Sequence, residues 1–247
     1  MQKAANTVVA GDVVHIRAGT YAERVTLNNR DGTAALPITF QKYAPDAGAA
    51  IIDQTGVTAP NGTSALLTIL NSDYVTIRGI ELANYKTAGT NAAQRAQLPA
   101  GIYIAGDGNG IKLLNCKVHD IWQNCTTLND FGANGFGIAA YGTSSTAINN
   151  LVIDGCEVYN LRTGASESLV LNGNVTNFAV TGNTVHDCNN IGIDFIGFEG
   201  TNSNVALDQA RNGVCSGNVV YNVDSKFNPA YGGSFSPGGS NDTRSAP

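Results

Sequence analysis

The chain has 247 residues, 43% hydrophobic and only 13% charged, with 14 basic and 19 acidic side chains giving a formal charge of −5. That apolar fraction excludes a disordered chain. No apolar run is long enough for a membrane helix, and the acidic balance speaks against a nucleic-acid partner.

In chain order, residues 3–10 read as one or two turns of amphipathic helix, within a cap segment covering 1–10. Residues 11–27 then alternate apolar and polar side chains, with a break at Ala18-Gly19. Five segments downstream align without gaps: 75–84, 111–120, 151–160, 178–187 and 213–222. Their last residues, Asn84, Asp120, Asn160, Asp187 and Asn222, lie 36, 40, 27 and 35 positions apart. Each segment has period-2 alternation, the mark of a half-buried strand, with a central Gly or Asn suited to a bend at positive φ. The terminal Asn or Asp is expected to close a turn. Four further strands, at 101–106, 137–142, 168–173 and 192–197, precede the later segments.

No helix of ten residues fits between these strands. The repeat therefore predicts an all-β fold, a parallel β-helix in which each coil pairs with the next over 11–225. A β-propeller would need four meandering strands per blade and a steadier period.

Aligning the coils assigns most conspicuous residues a structural place. Cys116, Cys156, Asn183 and Asn218 share one repeat position and should stack as a ladder, whereas Cys215 aligns with the core residues Leu113, Ile153 and Val180. His119 and His186 align with Tyr159 and Tyr221, so they are expected to be turn residues rather than bases. Five cysteines without a C-x-x-C pair indicate neither a disulfide framework nor a zinc site.

The stretch from Gly11-Asp12 through Ala18-Gly19-Thr20-Tyr21, followed by these coils, resembles the opening of right-handed parallel β-helix repeat proteins of the pectate-lyase-like superfamily. The likeness covers residues 3–225 and implies a right-handed coil with a short N-terminal helical cap. It also implies a secreted or cell-surface protein whose export signal lies upstream. Residues 226–247, rich in Gly, Ser and Pro, are expected to lead into further coils of a longer chain.

In such a fold the outward side chains of one sheet floor a groove suited to an extended polymer. Alternation turns Tyr103, Tyr141, Asn172 and Asp194 outward, and Tyr103, Tyr141 and Asn172 suit sugar rings and hydroxyls. Aligning Leu169 with Ile193 sets Glu167 near the start of one rung and Asp194 on the next, with Glu199 just past its end. Carboxylates of this kind are hard-oxygen donors, so Glu167, Asp194 and Glu199 form a candidate Ca²⁺ site.

The segments 134–141 and 190–195 are similar to strand motifs of calcium-dependent pectate lyases. Tyr141 stands where such a lyase would place its lysine, and Asn residues stand where aspartates are expected before the second motif. Lys226, Arg211 and Arg162 are the remaining cationic candidates for catalysis, Lys226 being the preferred base. The resemblance implies a monomer acting on an acidic, uronate polysaccharide by metal-assisted β-elimination. A non-catalytic carbohydrate-binding β-helix is one alternative, and a glycoside hydrolase or epimerase another. For a hydrolase, Asp187, Asp194 and Glu167 would be the acids. A serine hydrolase is excluded by the lack of a G-x-S-x-G elbow, and no P-loop or dinucleotide motif is present.

Overall fold

A computed structural model describes residues 1–89, 92–125 and 132–223. The strands form four sheets in which every pair is parallel. The first sheet comprises Val13–Ile16, Ile38–Lys42, Val75–Arg78, Lys112–Leu114, Val152–Asp154, Ala179–Thr181 and Val214–Ser216. The second comprises Gly19–Tyr21, Ala50–Asp53, Glu81–Lys86, Lys117–Trp122, Glu157–Leu161, Thr184–Cys188 and Val219–Val223. The third has six strands: Val25–Asn28, Gly62–Leu70, Gln97–Ala105, Phe136–Gly142, Glu167–Gly173 and Ile191–Ile196. A small fourth sheet pairs Gly108–Asn109, Ile148–Asn149 and Val175–Thr176. The chain visits the sheets in rotation and stacks each strand on its counterpart one coil back, which makes it a right-handed parallel β-helix.

The corners follow from the repeat. Gly79, Asn115, Gly155, Gly182 and Gly217, the central residues of the five aligned segments, all have φ between 52 and 66°. Gly and Asn occupy these places because the left-handed region is costly for most side chains. The terminal Asn84, Asp120, Asn160, Asp187 and Asn222 also take positive φ. They do not end the strand as expected, however: the second-sheet strands run on past them, through residues such as Ile121, Trp122 and Leu161. Hydrogen bonds between coils hold the kink in place, from Asn160 Nδ2 to Asp120 Oδ1 (2.8 Å) and from Asn222 Nδ2 to Asp187 Oδ1 (2.9 Å).

Inside, aliphatic rows run along the axis. One in the third sheet is Val25, Leu67, Ile102, Ile138, Leu169 and Ile193. Leu169 pairs with Ile193, as the alignment requires. The Cys116, Cys156, Asn183 and Asn218 ladder is present: each side chain donates to a carbonyl one coil back, at Ile77, Leu113, Ile153 and Val180. Thiol and amide thus do the same job. Cys215 keeps its register with Val180 but is exposed, because it lies on the last described coil and no described strand covers it.

The N-terminal helix spans Gln2–Ala5, one turn where up to two were expected. It closes the first coil: the terminal amine pairs with Glu23, and Gln2 Oε1 accepts from Thr26 N at 2.6 Å. Among the described residues no helix is long and apolar enough to cross a membrane.

Candidate functional site on the third sheet

The outer face of the third sheet carries three rows. Ala65, Ala100, Phe136, Glu167 and Ile191 form the first; Thr68, Tyr103, Ala139, Val170 and Asp194 the second; Leu70, Ala105, Tyr141, Asn172 and Ile196 the third. Although it faces away from the coil interior, much of this surface is buried: Ala65, Ala100, Phe136, Ala139 and Val170 form a second apolar cluster against Tyr103, Tyr141 and Ile196. The Tyr103 and Tyr141 rings lie 5.7 Å apart, and Phe136 meets Tyr141 edge-on at 5.7 Å.

Glu167 sits within this apolar surface, 8% exposed. Burial, and then the negative charge of Asp194 on the neighbouring strand, push its carboxyl up to about 8. At neutral pH it therefore holds a proton. Burial also raises the phenol of Tyr103. In Tyr141 burial dominates again, with the charge of Glu167 next, and the phenol is held well above its ordinary range. Asn172 is buried and donates from Nδ2 to Glu199 Oε2 at 3.2 Å, while its Oδ1 has no partner.

The local sequence explains how Glu167 is aimed. The adjacent position is Gly101, Gly137, Ser168 and Gly192 on successive coils and falls at a break in the row register. A Cβ at Gly101 would lie 2.2 Å from Val118, so on that coil the inward position has no room for a side chain. On the other side of Glu167, Ser166 Oγ donates to Asn134 Oδ1 (2.9 Å) and Ser166 O accepts from Asn190 Nδ2 (2.9 Å). Thr163 and Asn189 are buried and bonded to each other just upstream.

Glu199 is carried by a loop that Asp208 ties down, accepting from Gly200 N (2.7 Å) and Asn202 N (2.9 Å). Asn202 in turn donates to Ser144 O at 2.7 Å. Asn202 and Asp208 were not singled out in the sequence. Only their Asx chemistry marked them, and the chain is full of such residues.

Six of the residues proposed from sequence, Tyr103, Tyr141, Asn172, Glu167, Asp194 and Glu199, therefore share one face or its rim. The cations do not join them. The Arg211 guanidinium is occupied by Asn174 Oδ1 (2.8 Å), Gln209 O (3.0 Å) and Leu207 O (3.3 Å). Arg162 stacks on Trp122 at the end of the second sheet. Lys226 lies outside the described residues. Asp187, an alternative hydrolase acid, belongs to the second sheet, bonded to His186 Nδ1 at 2.7 Å.

The two histidines are not turn residues. They stand within strands, in a column of parallel rings running His119, Tyr159, His186 and Tyr221 at 4.6, 5.2 and 4.8 Å.

The oxygens of Glu167, Asp194, Glu199 and Asn172 have the donor chemistry calcium prefers. Among the described residues, though, no group of three or more acids, histidines or cysteines is arranged to hold a metal ion.

No protein-family model matches the chain. The uncharacterized protein YwoF of Bacillus subtilis (strain 168) is 36% identical over 210 residues, which are 85% of this chain and 41% of YwoF. The chain thus spans less than half the length of that relative. Among solved structures, the GH136 lacto-N-biosidase from Eubacterium ramulus is similar with a TM-score of 0.57 at 17% identity, covering 74% of this chain and 37% of that one. A mannuronic acid specific polysaccharide family 6 lyase from human gut microbiota is similar with a TM-score of 0.51 at 16% identity, covering 91% and 47%. At these identities the likeness defines the fold alone: the chain is a right-handed parallel β-helix.

Proposed function

We propose that the outer face of the third sheet binds a saccharide chain and cleaves it by acid–base chemistry, with Glu167 as acid and Asp194 as base. The observation that carries this reading is the burial of the Glu167 carboxyl in an apolar surface, which raises its proton affinity, with a second carboxyl, Asp194, on the adjacent strand. Two carboxyl groups set apart in proton affinity by their surroundings are what glycosidic cleavage needs. Glu167 gives its proton to the leaving glycosidic oxygen, and Asp194 takes one from the attacking water. The partly exposed rings of Tyr103 and Tyr141 supply apolar surface for sugar faces. That both similar solved structures are carbohydrate-active enzymes supports the substrate class.

A second reading is β-elimination on a uronate polymer, in which Asp194 takes the proton beside the substrate carboxylate and the Tyr141 phenol, on the same face, protonates the leaving oxygen. Calcium would enter this reading only as a neutraliser of the substrate carboxylate. Incubating the protein with neutral β-linked oligosaccharides, and separately with pectate or alginate with and without calcium, separates the two readings. Hydrolysis releases reducing ends without unsaturated product, whereas elimination gives product absorbing in the ultraviolet. Neither product from any of these substrates removes the catalytic assignment.

A further inference from the structure

Sulfur fills the interior ladder on two adjoining coils and amide fills it on the next two. Asn183 Nδ2 and Asn218 Nδ2 reach a carbonyl one coil back at 2.9 Å, whereas Cys116 and Cys156 reach theirs only at 3.7 Å. A thiol is the weaker donor, but it alone can form a covalent bond to its neighbour.

The two cysteines face each other across one rung. Asn115 and Gly155, the residues before them, both hold positive φ (52 and 64°), so both side chains leave the same kind of corner and point inward together. Bonds on either side fix the rung. Asn115 N donates to Asp154 O and Glu157 N to Cys116 O, both at 2.9 Å, and Lys117 pairs with Glu157 at 2.6 Å. In-register neighbours of parallel strands stand about 4.8 Å apart, inside the Cα separation of about 4.4–6.8 Å that a disulfide spans. Cys156 Sγ already interacts with both the thiol and the backbone amide of Cys116. Among the described strands no other cysteine faces a cysteine: Cys188 lies between Leu161 and Val223, and Cys215 beside Val180.

We propose that Cys116 and Cys156 are a site of oxidative modification, joined by a disulfide that staples two successive coils through the interior. The oxidant is a small disulfide of the glutathione class. One cysteine thiolate attacks it, forming a mixed disulfide and releasing one small thiol; the second cysteine thiolate then displaces the other. The two cysteines give up two protons and two electrons, which reduce the small disulfide to two thiols. Cys116 and Cys156 are 0 and 2% exposed, so the exchange takes place while the coils are still closing, and the finished bond is shielded from reductant. Turning the Cys116 sulfur toward Cys156 gives up one weak bond, to Ile77 O. The staple joins residues 40 positions apart and strengthens a coil-to-coil interface, where a stacked repeat gains its stability. It is independent of the chemistry on the third sheet.

The full chain is unfolded in urea with reductant and refolded with reduced and oxidised glutathione. Free thiols are then alkylated and the protein digested with trypsin and chymotrypsin without reduction. Mass spectrometry should find the Cys116 and Cys156 peptides joined, with Cys125, Cys188 and Cys215 alkylated. The oxidised protein should melt about 5–10 °C above the same protein kept reduced. A variant carrying both Cys116→Ala and Cys156→Ala should melt alike after either treatment. Five alkylated cysteines in refolded protein of native circular dichroism overturn the proposal, as does a bridge to another cysteine. So does a melting difference that persists in the double variant. The peptide map is read on the unsubstituted chain, so it decides even where that variant does not fold.

Discussion

The outer faces of the second and third sheets are built from the same coils and the same inward rows, yet they differ in chemistry. On the second sheet, Glu81, Lys117, Glu157, His119 and His186 stand half-buried or exposed, and each meets an opposite or hydrogen-bonding partner. Glu157 is held below its usual value, first by Lys117. On the third sheet the outward rows are largely covered, and Glu167 is left among aromatic and aliphatic side chains with another carboxyl as its neighbour. One face is an array of compensated charges and the other a desolvated acid. Within a repeat, chemistry depends on which face the loops cover rather than on which residues recur.

The largest expected effect bears on that contrast. Glu167→Gln should lower glycosidic cleavage by about 10²–10⁴-fold, measured as reducing-end release, with the circular dichroism spectrum unchanged.

Next comes pH. The unfolded Glu167 carboxyl ionises near its ordinary 4.5, and the folded one near 8. Between those values the native state keeps a proton that the unfolded state has lost, so this group's effect on stability declines as pH rises from about 4.5 to 8 and then levels. The change is on the order of a few kcal/mol in urea unfolding, and it should vanish in Glu167→Gln.

A smaller effect is expected at the loop anchor. Asp208→Ala strips acceptors from two backbone N–H groups, one on the buried Asn202, and should cost about 1–3 kcal/mol while loosening Glu199. The smallest lies on the second sheet. Tyr159→Leu interrupts the ring column and should cost about 0.5–1.5 kcal/mol beyond lost area, with cleavage unaffected.

The fold was legible because the repeat states the same geometry five times. The central Gly or Asn gave the corner, alternation gave the strand, and the offset between Leu169 and Ile193 gave the register. Outwardness was equally legible, and it placed Tyr103, Tyr141, Asn172 and Asp194 on one face. Burial was not. A period-2 pattern counted back from the inward Leu169 would turn Glu167 inward; the break at Ser168 turns it out, into an apolar cluster that the pattern does not show. The arginines show the same limit: nothing in the spacing reveals that Arg211 is spent on its own loop, or that Arg162 lies on Trp122. The histidines were placed in turns because Val-His-Asp and Val-Tyr-Asn end alike. The positive φ at the final residue bends the strand without ending it, and the rings before it stack.

The central claim is that the third-sheet face is a desolvated acid–base site, and the most direct test is the ionisation of Glu167 itself. Carbon-13 NMR titration of the glutamate carboxyls, with Glu167→Gln to assign the signal, should show this group titrating near pH 8. Titration in the ordinary range, about 4.3, would contradict it.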